Sequence, residues 1–159
     1  MVRAPLSEQT RQLGARDGRE GFPVTCLGFG AAPVGGPQLA DAEALLAVEA
    51  AYESGVRFFD TAPWYSRGLS ERRLGLALGN YSRDSYRLQT KVGRFIVPGQ
   101  PNDRDRTGQA ILPRDGGGGY PRAHGREFGV THDYSYDAVL RQHEDSLQRL
   151  GVSRIDSAV

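Results

Sequence analysis

The sequence predicts an α/β fold in which parallel strands alternate with helices. Short apolar runs and helical stretches succeed one another at a repeat of about 30 residues, the length of one βα unit with its crossover. Strands joined through helices in this way lie parallel. A further observation bears on which parallel architecture is present. The open doubly wound fold wants Gly-x-Gly-x-x-Gly between its first strand and first helix. Here "GFGAAP" (28–33) offers Gly-x-Gly and then Pro33 where the third glycine should stand, and no helix follows at once. The dinucleotide fingerprint is therefore rejected, and the α/β barrel is the architecture against which the chemistry is read.

Taken in order, residues 1–22 are polar and aperiodic, a leader or a first hairpin. "VTCLGFGAA" (24–32) reads as a strand that runs into the loop "APVGGPQL", with Cys26 as a small buried side chain. "DAEALLAVEAAYESG" (41–55) is a helix that Asp41 can cap and Gly55 stops. "VRFFD" (56–60) is a short apolar strand, and "SERRLGLALGN" (70–80) a second helix opened by Ser70. "YRLQTKVG" (86–93) is a third strand. Residues 94–132 are dense in Gly and Pro and carry no periodicity, which reads as a long loop without structure of its own. "SYDAVLRQHEDSLQRLG" (135–151) is a third helix, with Ser135 as its cap and Tyr136, Leu140, His143, Leu147 and Leu150 along one stripe. "SRIDSAV" (153–159) begins a fourth strand, in which Ser157 and Ala158 are weak fillers for a buried parallel sheet.

Composition narrows the function. A chain of 159 residues with 38% apolar content holds one domain with a core. A formal net charge of +1 argues against nucleic-acid or membrane-surface capture. One cysteine excludes an internal disulfide framework. No run has signal-peptide or membrane-span length, so a cytoplasmic location is expected. Of the 20 basic residues only Lys91 is a lysine. A coding bias toward arginine explains the others but not the exception. An ammonium is compact and tunable where a guanidinium is neither.

Lys91 has chemical company. In an α/β barrel, catalytic groups stand at the C-terminal ends of different strands. Asp60 ends the second strand, Tyr65 follows on its loop, and Lys91 nears the end of the third. A free phenol is a poor proton donor at neutral pH, and a neighbouring ammonium favours its ionised form. Tyr65 then suits general acid–base work, and Asp60 would hold the ammonium charged and in place.

"GVRFFDTAPWYSRGLSERRLGLAL" followed by "LQTKVGR" resembles the aldo/keto reductase family, which combines Asp, Tyr and Lys in this order. "LGFGAAPVGG" and "DYSYDAVLRQHEDSLQRLGVSRID" resemble its sugar-oxidising subgroup, with aldose, L-fucose and pyridoxal dehydrogenases as members. The resemblance implies the N-terminal half of a (β/α)8 TIM barrel, a single incomplete domain over 1–159. It implies NADP or NAD as cofactor, no metal, and a small carbonyl or sugar substrate. By carry-over Asp60, Tyr65 and Lys91 are three members of a catalytic tetrad. Gly30, Ala31 and Asp60 would lie at the nicotinamide-ribose end of the cofactor, Trp64 at the substrate, and the loop 94–132 over it. The family's fourth member, a histidine after the fourth strand, has no counterpart up to Val159, and neither His124, His132 nor His143 is expected to replace it. Two functions follow as expectations. One is an NAD(P)-dependent oxidoreductase; the other is a non-catalytic relic or a half-barrel that works only with a complementing chain. An open half-barrel with an apolar inner face is also expected to self-associate.

Overall fold

A computed structural model describes residues 4–14, 17–18, 20–36, 38–98 and 128–159. Of the leader or hairpin expected at the N-terminal end, the described residues form a hairpin. β1 (Thr10–Leu13) pairs antiparallel with β2 (Phe22–Thr25), in register from Thr10↔Thr25 to Leu13↔Phe22. The single strand expected over 24–32 is thereby divided. Val24 and Thr25 belong to the hairpin, and only β3 (Phe29–Gly30) enters the parallel sheet. Thr25 makes the corner: its Oγ1 donates to Leu27 O at 2.8 Å and accepts the Arg57 N–H at 3.0 Å. Cys26 stands on that corner and is exposed, not buried as expected.

The barrel wall is a four-stranded parallel sheet in the order β3, β4 (Phe58–Asp60), β5 (Arg87–Thr90) and β8 (Ser157–Ala158). Register brings Gly30, Asp60, Gln89 and Ser157 into one row across it. Period-two alternation sorts the side chains. Phe59 and Leu88 are fully buried on the helix side, with Leu74, Leu78, Val48 and Leu150. The opposite face carries Phe58, Asp60, Arg87 and Gln89, all half-buried. That face is more polar than the apolar lining expected from a barrel interior.

Three helices cover the sheet: α1 (Asp41–Glu53), α2 (Leu69–Leu78) and α3 (Tyr136–Leu150). Asp41 begins α1 but does not cap it; Glu43 accepts the Ala40 N–H at 3.2 Å, while Asp41 Oδ1 receives Arg73 Nε at 2.9 Å. Arg73 is nearly buried and also donates to Val34 O, Gly36 O and Leu39 O. One guanidinium thus ties Val34, Gly36 and Leu39 after β3 to α2, using a fork that lysine lacks.

α2 opens at Gly68, whose φ is +83°, not at Ser70. Ser70 lies inside the helix, buried, donating to Ala31 O at 2.6 Å with Thr61 Oγ1 at 3.0 Å. A hydroxyl that looked like a cap instead ties the ends of β3 and β4 to α2.

α3 has its expected bounds but a buried face that shares only Leu150 with the expected stripe. Ala138, Gln142, Ser146 and Leu150 face inward, whereas Tyr136 and Leu140 are 78% and 46% exposed. The stripe expected through His143 is half outside, because polar residues hold the inner positions: Gln142 accepts the Gly93 N–H at 2.6 Å and donates to Asp133 O at 2.8 Å.

Residues 94–132 are not wholly structureless. β6 (Arg94–Pro98) and β7 (Phe128–His132) form an antiparallel ribbon, paired from Arg94↔His132 to Pro98↔Phe128. The rest of the expected loop, His124 included, lies outside the described residues. Among the described residues no helix is long and apolar enough to cross a membrane.

Candidate active site

The C-terminal ends of β4 and β5 bring Asp60 and Lys91 together. Lys91 Nζ donates to Asp60 Oδ1 and Oδ2, each at 2.8 Å, and to Thr61 O at 3.0 Å. Three acceptors match the three hydrogens of an ammonium. Gln89, beside Asp60 in the register, donates to Asp60 Oδ1 at 2.9 Å. The pair is neither buried nor free: the side chains are 35% exposed for Lys91 and 28% for Asp60. Such a pair contributes modestly to stability, so its geometry is better explained by what it presents than by what it stabilises.

Tyr65 follows Asp60 on the loop before α2, and its ring centroid lies 5.0 Å from Lys91 Nζ. That is cation–π range. The backbone fixes this placement through Tyr65 N–H to Ala62 O at 3.1 Å and Ser70 N–H to Tyr65 O at 3.3 Å. Ser66 and Arg67 then take φ of 50° and 52° ahead of Gly68, three successive residues in the left-handed region. Such a run costs free energy and survives only where surrounding contacts hold it.

Trp64 lies under Arg94, whose guanidinium carbon is 3.7 Å from the ring. Gly30 pairs with Asp60 across the sheet, and Ala31 N–H donates to Asp60 O at 2.8 Å, with Ala31 fully buried. The residues singled out from sequence, namely Gly30, Ala31, Asp60, Trp64, Tyr65 and Lys91, therefore gather at one end of the sheet. Gln89, Thr61 and Arg94 were missed. Gln89 carried a usable signal, since it sits at the half-buried position of the alternating "RLQT". A backbone acceptor such as Thr61 O and a partner from the ribbon such as Arg94 leave no trace in local sequence.

The family model for the aldo/keto reductase family matches residues 26–159. The chain belongs to the aldo/keto reductase family. It is a family of oxidoreductases, and the parallel sheet with its helices is half of the family's barrel. Among curated relatives, pyridoxal 4-dehydrogenase of Microbacterium luteolum is 40% identical over 145 residues, covering 87% of this chain and 40% of that protein. D-threo-aldose 1-dehydrogenase of Pseudomonas sp. is 38% identical over 141 residues, covering 86% and 39%. The chain thus spans about two-fifths of the length of these aldo/keto reductases. Among solved structures, a Pseudomonas aeruginosa protein assigned to the aldo-keto reductases matches 100% of this chain and 48% of its own, with a TM-score of 0.62 and 30% identity. A Bacillus halodurans aldo-keto reductase in its holo form gives a TM-score of 0.62 at 27% identity, over 94% of this chain and 39% of its own.

Proposed function

We propose that this chain carries the proton-transfer half of an NAD(P)-dependent alcohol–carbonyl oxidoreductase acting on free sugars or related small alcohols. The observation that supports it is the Lys91 ammonium held between the Asp60 carboxylate and the Tyr65 ring at the strand ends. The relatives' names, a pyridoxal and an aldose dehydrogenase, suggest the substrate class.

The residues present fit the nicotinamide-ribose end of such a cofactor. A Cβ added at Gly30 would meet nothing within 4 Å, so the strand end is open beside the part-exposed Asp60 carboxylate. Gly30, Ala31 and Asp60 would hold that end. When bound, the nicotinamide supplies hydride exchange with the substrate carbon.

The chain's own residues manage the proton. In the oxidising direction Tyr65 Oη, as phenolate, takes the hydroxyl proton of the substrate alcohol; in reduction it returns a proton to the carbonyl oxygen. Lys91 stabilises negative charge on the phenol through its fixed cation near the ring, and Asp60, Gln89 and Thr61 O keep that cation from swinging into solvent. Preorganised charge of this kind needs no rearrangement as the proton moves. Trp64, with the Arg94 guanidinium over one face of its ring, would meet the substrate with what its ring leaves uncovered.

The polypeptide carrying this sequence, at its natural length, is expected to reduce NAD or NADP when given free aldoses or pyridoxal-type alcohols. Following nucleotide reduction across such a panel tests it. Absence of reduction with every alcohol and both nucleotides contradicts the reading.

A further inference from the structure

We infer that Glu71 and Arg149 are positioning residues for the candidate site: a buried ion pair through which α3 holds both the strand end that carries Lys91 and the turn that carries Tyr65. The inference rests on the reading of Lys91 and Tyr65 given above. Glu71, on α2, has no solvent exposure. A carboxylate in that position is costly to keep charged unless it is paired and hydrogen-bonded. Both of its oxygens are used. Oε2 accepts Arg149 Nε from α3 at 2.5 Å, and Oε1 accepts the hydroxyl of fully buried Thr90 at 2.8 Å.

Thr90 immediately precedes Lys91. By strand alternation its hydroxyl reaches back into the helix layer while Lys91 reaches Asp60. The far side of Lys91 is held from the same helix, where Gln142 accepts the Gly93 N–H at 2.6 Å. The lysine therefore sits on a short backbone segment fixed at both ends by α3, directly at Gly93 and through Glu71 at Thr90.

Arg149 also touches the other arm of the site. Its Nη2 donates to the buried Ser146 Oγ at 3.0 Å, which fixes the guanidinium. Its stem lies on Gly68, where an added Cβ would be 2.8 Å from Arg149 Cδ. Gly68 closes the left-handed run Ser66–Arg67–Gly68 that directly follows Tyr65. One ion pair thus joins the supports of the phenol and of the ammonium. Apolar side chains could hold α2 on α3 equally well, because replacing a buried ion pair by hydrophobic residues is often neutral or stabilising. What they could not do is grip the Thr90 hydroxyl.

Lys91 makes the inference measurable, since it is the only lysine in the chain. Acylation by an N-hydroxysuccinimide ester reports that one side-chain amine, and cleavage after arginine releases it within residues 88–94 for mass spectrometry. An amine tied to both Asp60 oxygens and to Thr61 O is shielded and reacts slowly, and Asp60→Asn gives the released rate. The full chain is compared with Thr90→Val, Thr90→Ser and the double variant Glu71→Met with Arg149→Met, each below its own unfolding midpoint. Thr90→Val and the double variant are expected to react several-fold faster, approaching Asp60→Asn, while Thr90→Ser, which restores the hydroxyl, keeps the native rate. If the double variant does not fold, the valine–serine pair decides. Native rates in the folded variants alongside a fast Asp60→Asn overturn the positioning role and leave the proton-transfer reading standing. A native rate in Asp60→Asn overturns the ion pair itself and the positioning role with it. Failure of the proton-transfer reading shows elsewhere, in turnover, and does not change these rates.

Discussion

Tyr65→Phe is expected to lower turnover by on the order of 10²–10⁴-fold, the usual contribution of a positioned acid–base group, while leaving nucleotide binding close to native. The substitution removes one oxygen. Ring, loop and the cation near the ring face at 5.0 Å are all kept, and Gly30, Ala31 and Asp60 are untouched. Loss should therefore appear in the chemical step and not in cofactor affinity. Turnover and nucleotide Kd measured on the natural-length polypeptide separate the two. Retained turnover removes Tyr65 from the reaction.

Gly75→Ala is expected to be the most destabilising small substitution in the helix layer. Helix propensity alone favours alanine by ~1 kcal/mol. At Gly75, however, an added Cβ would lie 2.0 Å from Leu150 O, 2.6 Å from its carbonyl carbon and 2.8 Å from its Cα. These are backbone atoms at the end of α3 and cannot rotate away. Overpacking costs ~1–3 kcal/mol and sometimes more, and contact with rigid backbone belongs at or above the top of that range. The clash wins, with a net loss of about 2 kcal/mol and a midpoint lowered by roughly 4–8 °C for a chain of this size. Thermal unfolding followed by circular dichroism checks it; a native or raised midpoint contradicts the close approach of α2 and α3.

These two sites differ in how far the sequence revealed them. The candidate site was legible because its residues lie at strand ends, and strand ends are marked by short apolar runs followed by breakers. "RFFD" and "LQTK" announce both the element and the exceptional residue closing it, so the meeting of Asp60 and Lys91 could be expected from parallel neighbours alone. The Arg94–His132 ribbon was not read from the sequence: its strands "RFIVP" and "FGVTH" are short apolar runs that pair across residues 99–127, where Gly and Pro are dense, and a local window does not show such a distant partner. Cys26 and Ser70 were misread for one reason: each lies near the end of an element whose bound shifted by tertiary contacts, the first by the β1–β2 hairpin and the second by the left-handed turn at Gly68. On α3 the periodicity was real, but the expected stripe meets the buried face fully only at Leu150. Gln142 and Ser146 occupy buried positions through hydrogen bonds to Gly93 and Arg149, and a hydrophobic pattern cannot register such partners.

On the proposed function, an arginine-rich chain keeps its one lysine for chemistry that arginine does not do. Lys91→Arg tests it most directly. Charge is kept, but a planar guanidinium cannot reproduce a point donor 2.8 Å from both Asp60 oxygens and 3.0 Å from Thr61 O. On the natural-length polypeptide, nucleotide-linked turnover should fall by about a hundredfold or more with the unfolding midpoint near native. Turnover within a few-fold of native would mean that any cation serves at this position, and that the lone lysine is an accident of composition.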